Sequence, residues 1–242
     1  MDAATAWRMV RGMPRQGTHQ EKLSGFYAAQ ADRYDTVREG LLHGRDGMVA
    51  ALAARLADGA AVAEIGCGTG RNLECLGPHL DRLGPVWAVD LCPPLLAKCR
   101  ERIAARGWER VEAVEADATV WVPPRPLDAV FFSYSLTMIP PWRAALDRAL
   151  ANLRPGGVIG VVDFWVSGSD GGDPERHGAW TRWFWPRWFR HDGVHLGPDR
   201  LRALRAAGAV EDLRTDRGRI PGIGLSVPWF SLVARVGSPS AG

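Results

Sequence analysis

This 242-residue sequence predicts an α/β fold with a seven-stranded, mostly parallel sheet and a carboxyl-terminal antiparallel hairpin. Three observations lead there. Short apolar runs alternate with helical stretches from residue 60 to 164, the pattern of βαβ units. The first run ends in the glycine-rich turn EIGCGTGRN (64–72), where α/β sheets bring backbone close to ligands. The last two strand candidates follow one another with no helix between them, which suits a hairpin.

Taken in order, GMVAALAARL within Asp46–Leu56 is alanine-rich and predicts a helix. AAVAEIG (60–66), PVWAVD (85–90), VEAVEA (111–116), LDAVFFSY (127–134) and GGVIGVVDF (156–164) predict buried strands. PLLAKCRERIAARG (94–107) and PWRAALDRALANLRPGG (141–157) predict the helices between them. After Phe164 the alternation breaks at the turn-rich GSDGGDPERHG (168–178), which leads into WTRWFWPRWFRH (180–191). Helix PDRLRALRAAG (198–208) then precedes strands VEDLRTDRGR (210–219) and SVPWFSLVARV (226–236). Residues 25–242 thus read as one domain with an aromatic-rich insertion at about 165–197, beside the carboxyl edge of the fifth strand. Residues 1–24 form an extension whose Trp7, Met9, Val10 and Met13 among arginines suit a short basic amphipathic helix or a frayed tail.

Composition excludes several classes. With 46% hydrophobic and 24% charged residues the chain can bury a core, so bulk disorder is excluded. A net charge of +3 is too small for a nucleic-acid footprint. The longest apolar run, Gly156–Val162, is far below the ~20 residues that span a bilayer. The amino terminus has no continuous apolar region and does not read as a secretory signal, which predicts a cytoplasmic address. Cys67, Cys75, Cys92 and Cys99 have neither metal-ligand nor disulfide-framework spacing and read as reduced thiols, and no metal is expected.

The glycine triplet Gly66-x-Gly68-x-Gly70 departs from a dinucleotide fingerprint, because position 71 is Arg. Asp90 ends the second strand, where a carboxylate can accept two ribose hydroxyls. Asp117-Ala118 ends the third, and LRPGG (153–157) precedes the fifth. This combination resembles the class I S-adenosylmethionine-dependent methyltransferases, whose fold is Rossmann-like. The resemblance implies S-adenosyl-L-methionine as cofactor. Glu64, Gly66, Gly68 and Gly70 would line its methionine part, Asp90 would hold the ribose and Asp117 with Ala118 the adenine, with Leu91 also among the cofactor contacts. Phe132, Ser133 and Tyr134 would close the cleft, and Tyr27 and Tyr34 would fold over the cofactor or pack the amino-terminal helix.

YDTVREGLLHGRDGMV (34–49), FSYSLTMIPPW (132–142), GVVDFW (160–165), WTRWFWPRWF (180–189) and VPWFSLVARVG (227–237) resemble a narrower family, the diacylglyceryl-homoserine N-methyltransferases of betaine-lipid synthesis. The match is scattered from about Phe26 to Val236 and leaves out the first 24 residues. It implies three successive methyl transfers giving diacylglyceryl-N,N,N-trimethylhomoserine, and as a partner the enzyme that supplies diacylglyceryl-homoserine. A relative acting on phosphatidylethanolamine-type lipids, or a soluble small-molecule methyltransferase, is the alternative. An amine that becomes quaternary suits aromatic faces, so Tyr134 and Trp142 are the catalytic candidates and Trp165 a substrate contact. Arginine suits the homoserine carboxylate, for which Arg38, Arg45 and Arg182 are candidates; Arg45 equally suits the cofactor's own carboxylate. Tryptophans and arginines at 180–190 suit either a lid on the sheet or peripheral contact with the inner face of a membrane. Pro186 is expected to kink or restart any helix there.

Overall fold

The structure, a computed structural model, describes residues 17–28, 40–190, 193–220 and 224–237. Its sheet has the strand order β3-β2-β1-β4-β5-β7-β6. The strands are β1 (Val62–Ile65), β2 (Val86–Asp90), β3 (Val111–Glu115), β4 (Leu127–Ser133), β5 (Leu153–Phe164), β6 (Ala209–Arg219) and β7 (Ser226–Arg235). β1 pairs in parallel with both β2 and β4, β2 with β3, and β4 with β5. β7 runs antiparallel between β5 and β6. The expected mostly parallel sheet with a terminal hairpin is therefore what the chain builds.

The described helices are α1 (His19–Tyr27), α2 (Arg45–Ala53), α3 (Arg71–Leu80), α4 (Pro93–Arg106), α5 (Trp142–Asn152), α6 (Ala179–Arg190) and α7 (Asp199–Ala207). Alternation along the central strands sends neighbours to opposite faces. Phe131 packs with Met48, Leu52 and Leu73, whereas Phe132 packs with Leu146, Leu201 and Phe230. Each face thus has its own buried core. The edge strand β6 is mostly exposed, as the charges of VEDLRTDRGR require.

Four elements depart from expectation. α3 was not foreseen, because Gly77 and Pro78 interrupt its sequence. Its Leu73, Leu76 and Leu80 nevertheless recur on one face and are buried, which outweighs weak propensity. The LRPGG segment, expected as a helix-to-strand turn, opens β5 itself with a register shift, Leu127 facing Leu153 and Ala129 facing Val158. α6 runs through Pro186 as one helix, held by buried Thr181, Trp185 and Phe189. Finally, α1 crosses the expected boundary at residue 24. Its start is fixed by a capping box, in which Thr18 Oγ1 accepts from the Glu21 amide and Glu21 Oε2 accepts from the Thr18 amide.

Candidate active site

A cavity of about 270 Å³ opens at the carboxyl ends of β1 to β4, beside the point where the strand order reverses. Its floor is Ile65, Gly66 and Gly68 after β1, with Val89, Asp90 and Leu91 at the end of β2. Ala116, Asp117 and Ala118 after β3 form one side. Tyr134 and Ser135 after β4, continuing through Met138 to Pro141, form the other. His19, Leu23 and Tyr27 of α1 also line it.

Asp90 is held in place by backbone. Its Oδ2 accepts the Gly68 amide at 2.7 Å and its Oδ1 the Cys92 amide at 2.8 Å. Burial raises its pKa, while backbone hydrogen bonds from Gly68, Cys92 and Leu91 oppose the rise. Asp117 turns the chain after β3 by accepting from the amide and hydroxyl of Thr119, both at 2.8 Å. His19 faces this end; burial lowers its pKa and the Asp117 carboxylate pulls it back up. Gln20 ties α1 to the end of β3 by donating to Glu115 Oε1 at 3.0 Å.

Of the residues expected at the site, Tyr27, Gly66, Gly68, Asp90, Leu91, Asp117, Ala118 and Tyr134 line the cavity. Tyr34 and Arg38 lie outside the described residues. Glu64 and Gly70 stand behind the glycine turn. Glu64 is fully buried, accepts from Asn72 Nδ2 at 2.6 Å, and burial pushes its pKa up to about 8. Gly70 caps α3. Ser133 is buried beneath the cavity, its hydroxyl without a partner.

The remaining expectations are not brought to the lining. Arg45 Nε donates to the Leu42 carbonyl at the start of α2. Trp142 begins α5 next to Pro141, its ring packed beneath the guanidinium groups of Arg143 and Arg200 at 4.7 and 5.0 Å. Trp165 is 1% exposed and packs edge-on against His177 and Phe230, so it belongs to the core beyond β5. Arg182 turns back to the preceding linker, its Nη1 donating to the carbonyl oxygens of His177 and Gly168.

The sequence reading missed His19, Leu23, Cys92, Leu95, Ser135, Met138 and Ile139 as lining residues. The capping box Thr18-x-x-Glu21 was the available signal for α1. Behind the Met138–Pro141 wall, Thr137 is clamped by Asp163 at the end of β5. The Asp163 carboxylate accepts from the Thr137 amide at 2.9 Å, its hydroxyl at 2.6 Å and the Phe164 amide at 2.8 Å. Burial raises the Asp163 pKa to about 6.

Residues 62–157 match the family model of a methyltransferase domain. Over 106 residues the chain is 30% identical to a trans-aconitate 2-methyltransferase of Azoarcus sp. (strain BH72), covering 44% of this chain and 40% of that protein. The match thus spans less than half the length of the curated relatives. Among solved structures, phosphoethanolamine N-methyltransferase 2 of Haemonchus contortus, in complex with S-adenosyl-L-methionine, superimposes with a TM-score of 0.69. That match has 13% identity and covers 93% of this chain and 61% of that one. The [4+2]-cyclase SpnF superimposes at 0.68, with 20% identity over 94% of this chain and 99% of that one.

The residues present fit a sulfonium cofactor on two counts. The cavity is lined by Asp90 and Asp117 and, among the described residues, by no lysine or arginine, so its field favours a cation. An added Cβ at Gly68 would meet only Leu95 Cδ1, at 3.9 Å, so the turn leaves its inner face clear for a ligand. Residues 62–157 thus match a methyltransferase domain, and the chain shares its fold with methyltransferases of solved structure.

Proposed function

We propose that the protein is an S-adenosylmethionine-dependent N-methyltransferase whose acceptor is the amine of a lipid headgroup, that of diacylglyceryl-homoserine, methylated three times to the betaine. One observation carries the lipid reading: an unbroken row of rings links the cavity wall to a helix that exposes tryptophan. Tyr134 meets Phe164 at 4.6 Å, Phe164 meets Phe189 at 4.8 Å, and Phe189 meets Trp185 at 5.7 Å. On the same helix Trp180, Trp183 and Trp188 are about half exposed. A small polar acceptor needs no such surface; an amphiphile does. The choice of homoserine lipid rests on the resemblance of SYSLTMIPPW and WTRWFWPRWF to that family. Cytoplasmic placement on the inner membrane face belongs to the same proposal. Among the described residues no helix is long and apolar enough to cross a membrane.

When bound, the cofactor supplies an electrophilic methyl group on a cationic sulfur. Asp90 and Asp117 would hold its ribose and adenine, and the Gly66–Gly68 turn its methionine portion. Before each transfer the acceptor ammonium would lose its proton to solvent; the lone pair so freed would form the N–C bond while the electron pair of the methyl–sulfur bond stays on sulfur. Tyr134 is not the base: its hydroxyl already donates to the His43 carbonyl, and burial pushes its pKa well above the ordinary value. The chain instead supplies position and exclusion of water, through Tyr134, Met138, Ile139 and the two prolines.

The deciding experiment incubates the protein with labelled cofactor and diacylglyceryl-homoserine in mixed micelles, then weighs the lipid products. Mono-, di- and trimethylated headgroups are expected. Parallel incubations use phosphatidylethanolamine and trans-aconitate. Methylation of trans-aconitate with no lipid product would overturn the lipid reading and leave a small-molecule methyltransferase.

A further inference from the structure

α6 carries two apolar stripes, and the core uses only one. Thr181, Trp185 and Phe189, at four-residue spacing, are buried. The second stripe, Trp180, Trp183 and Trp188, faces outward over the half-buried Phe184. Trp180, Trp183 and Trp188 are 55%, 54% and 46% exposed, the only large aromatic side chains so exposed among the described residues. The stripe is ordered within itself. Trp180 stacks on Phe184 at 4.5 Å and 11°, and Phe184 meets Trp188 at 5.5 Å. Arg187 lies over the Trp183 ring at 4.9 Å and donates to the Trp183 carbonyl at 3.1 Å.

Among the described residues of α6 the charge has one sign. α6 holds Arg182, Arg187 and Arg190 and no acidic residue. The acids of the preceding linker are engaged elsewhere: Asp170 and Asp173 pair with Arg202, and Glu175 with Arg217. Arg187 and Arg190 are exposed beside the tryptophans. Indole rings flanked by guanidinium groups match the headgroup level of a bilayer, where rings insert and cations meet phosphate. A second copy of the same face fits poorly, because isologous pairing would bring both sets of arginines together.

We infer that the outer stripe of α6 docks on an anionic lipid bilayer. This deepens the lipid-acceptor reading and rests on it only for the link between the surface and the substrate. The position of the helix gives the docking a route to the site. The chain leaving α6 is pinned to the cavity wall: the His195 amide donates to the Thr137 carbonyl at 3.1 Å, and Arg200 Nη1 donates to the His195 carbonyl at 2.6 Å. Thr137 directly precedes Met138 of the lining. The segment that follows α6 therefore meets the wall that receives the acceptor through the His195–Thr137 hydrogen bond.

The test floats the full-length protein with vesicles of phosphatidylcholine alone and of phosphatidylcholine with phosphatidylglycerol. The wild type is expected to float with the anionic vesicles, less so as salt rises. Changing Trp180, Trp183 and Trp188 together to Ser should lower binding by more than roughly tenfold. Arg187→Gln and Arg190→Gln should each lower it about fivefold, the equivalent of ~1 kcal/mol per charge. As a second measurement on the unmodified protein, brominated lipid should quench its tryptophan fluorescence, and the triple Ser variant should lose that quenching. Failure of the wild type to bind either vesicle overturns the docking, as does equal, salt-insensitive binding to both. A dimer that the triple variant dissolves, without vesicle binding, assigns the face to a second copy and also overturns it. Docking without any lipid methylation sustains this inference and removes the lipid acceptor instead.

Discussion

The Tyr134 hydroxyl donates to the main-chain carbonyl of His43 at 2.6 Å, joining the end of β4 to the turn before α2 across the mouth of the sheet. Tyr134 is also the only non-glycine residue at positive φ, 53°, among those described. A side chain so placed is over-determined by its surroundings, as strained residues at ligand sites are.

Tyr134→Phe keeps the ring against Phe164 and removes only this bond. Stability should fall by about 1–3 kcal/mol, since the His43 carbonyl is left without its donor. Because the phenol is not the base, the pH profile of transfer should keep its shape. A lost alkaline or acid limb in the variant's rate profile would return Tyr134 to proton transfer.

Gly66 and Gly68 are adjacent in the motif and should respond differently to the same change. A Cβ at Gly66 would sit 2.3 Å from Ser135 Cβ, at a φ of 73°. Gly66→Ala should therefore cost about 1–3 kcal/mol from overpacking and a further ~1–2 from the left-handed backbone. Gly68→Ala meets no such contact, so it should lose only the backbone share. Its methyl group faces the cavity, and cofactor affinity should drop while the protein stays folded. Calorimetric titration beside thermal unfolding distinguishes the two, and equal affinity in a folded Gly68→Ala protein would remove the turn from the cofactor site.

Glu64 predicts a pH dependence of stability. Its pKa rises from 4.5 to about 8 on folding, so between those values the folded state alone holds the proton. Stability then falls as pH rises from 4.5 to 8, and levels off above. Glu64 Oε2 and Asn72 Oδ1 are both buried acceptors without partners, and a proton on the carboxyl gives that pair a donor. Glu64→Gln, which imitates the neutral acid, should match the wild type below pH 4.5 and exceed it increasingly up to pH 8. Parallel unfolding curves at every pH would show Glu64 ionised in the fold.

Asp163 and Thr137 give a second, separate pH signature. The Asp163 pKa rises from 3.8 to about 6 on folding, so its ionisation weakens the fold as pH climbs between those values. Thr137→Val deletes one donor to the charged carboxylate. The loss should be about 1.5–3 kcal/mol above pH 6 and smaller below it, where Asp163 is neutral. The Met138–Pro141 wall would loosen with it. Acceptor KM should rise while cofactor affinity holds, and the reverse pattern would place Thr137 with the cofactor instead.

What the sequence determined by itself was local. Apolar runs of strand length, the glycine turn after the first of them and the acids at the end of the second and just beyond the third are local features, which a chain carries before it folds. That is why the sheet, the hairpin, Gly66, Gly68, Asp90 and Asp117 were all legible. Tertiary structure decided which face each ambiguous side chain meets. Trp165 and Trp183 are the same residue type on neighbouring elements, yet one is sealed against Phe230 and the other faces outward. Arg182 reads as a substrate contact until the carbonyl groups of its own linker claim it. α3 and the uninterrupted α6 form against Gly77, Pro78 and Pro186, because burying Leu73, Leu76, Trp185 and Phe189 outweighs the backbone entropy of the glycine and the few hydrogen bonds the two prolines deny. Such choices depend on partners distant in sequence, and only the assembled core supplies them.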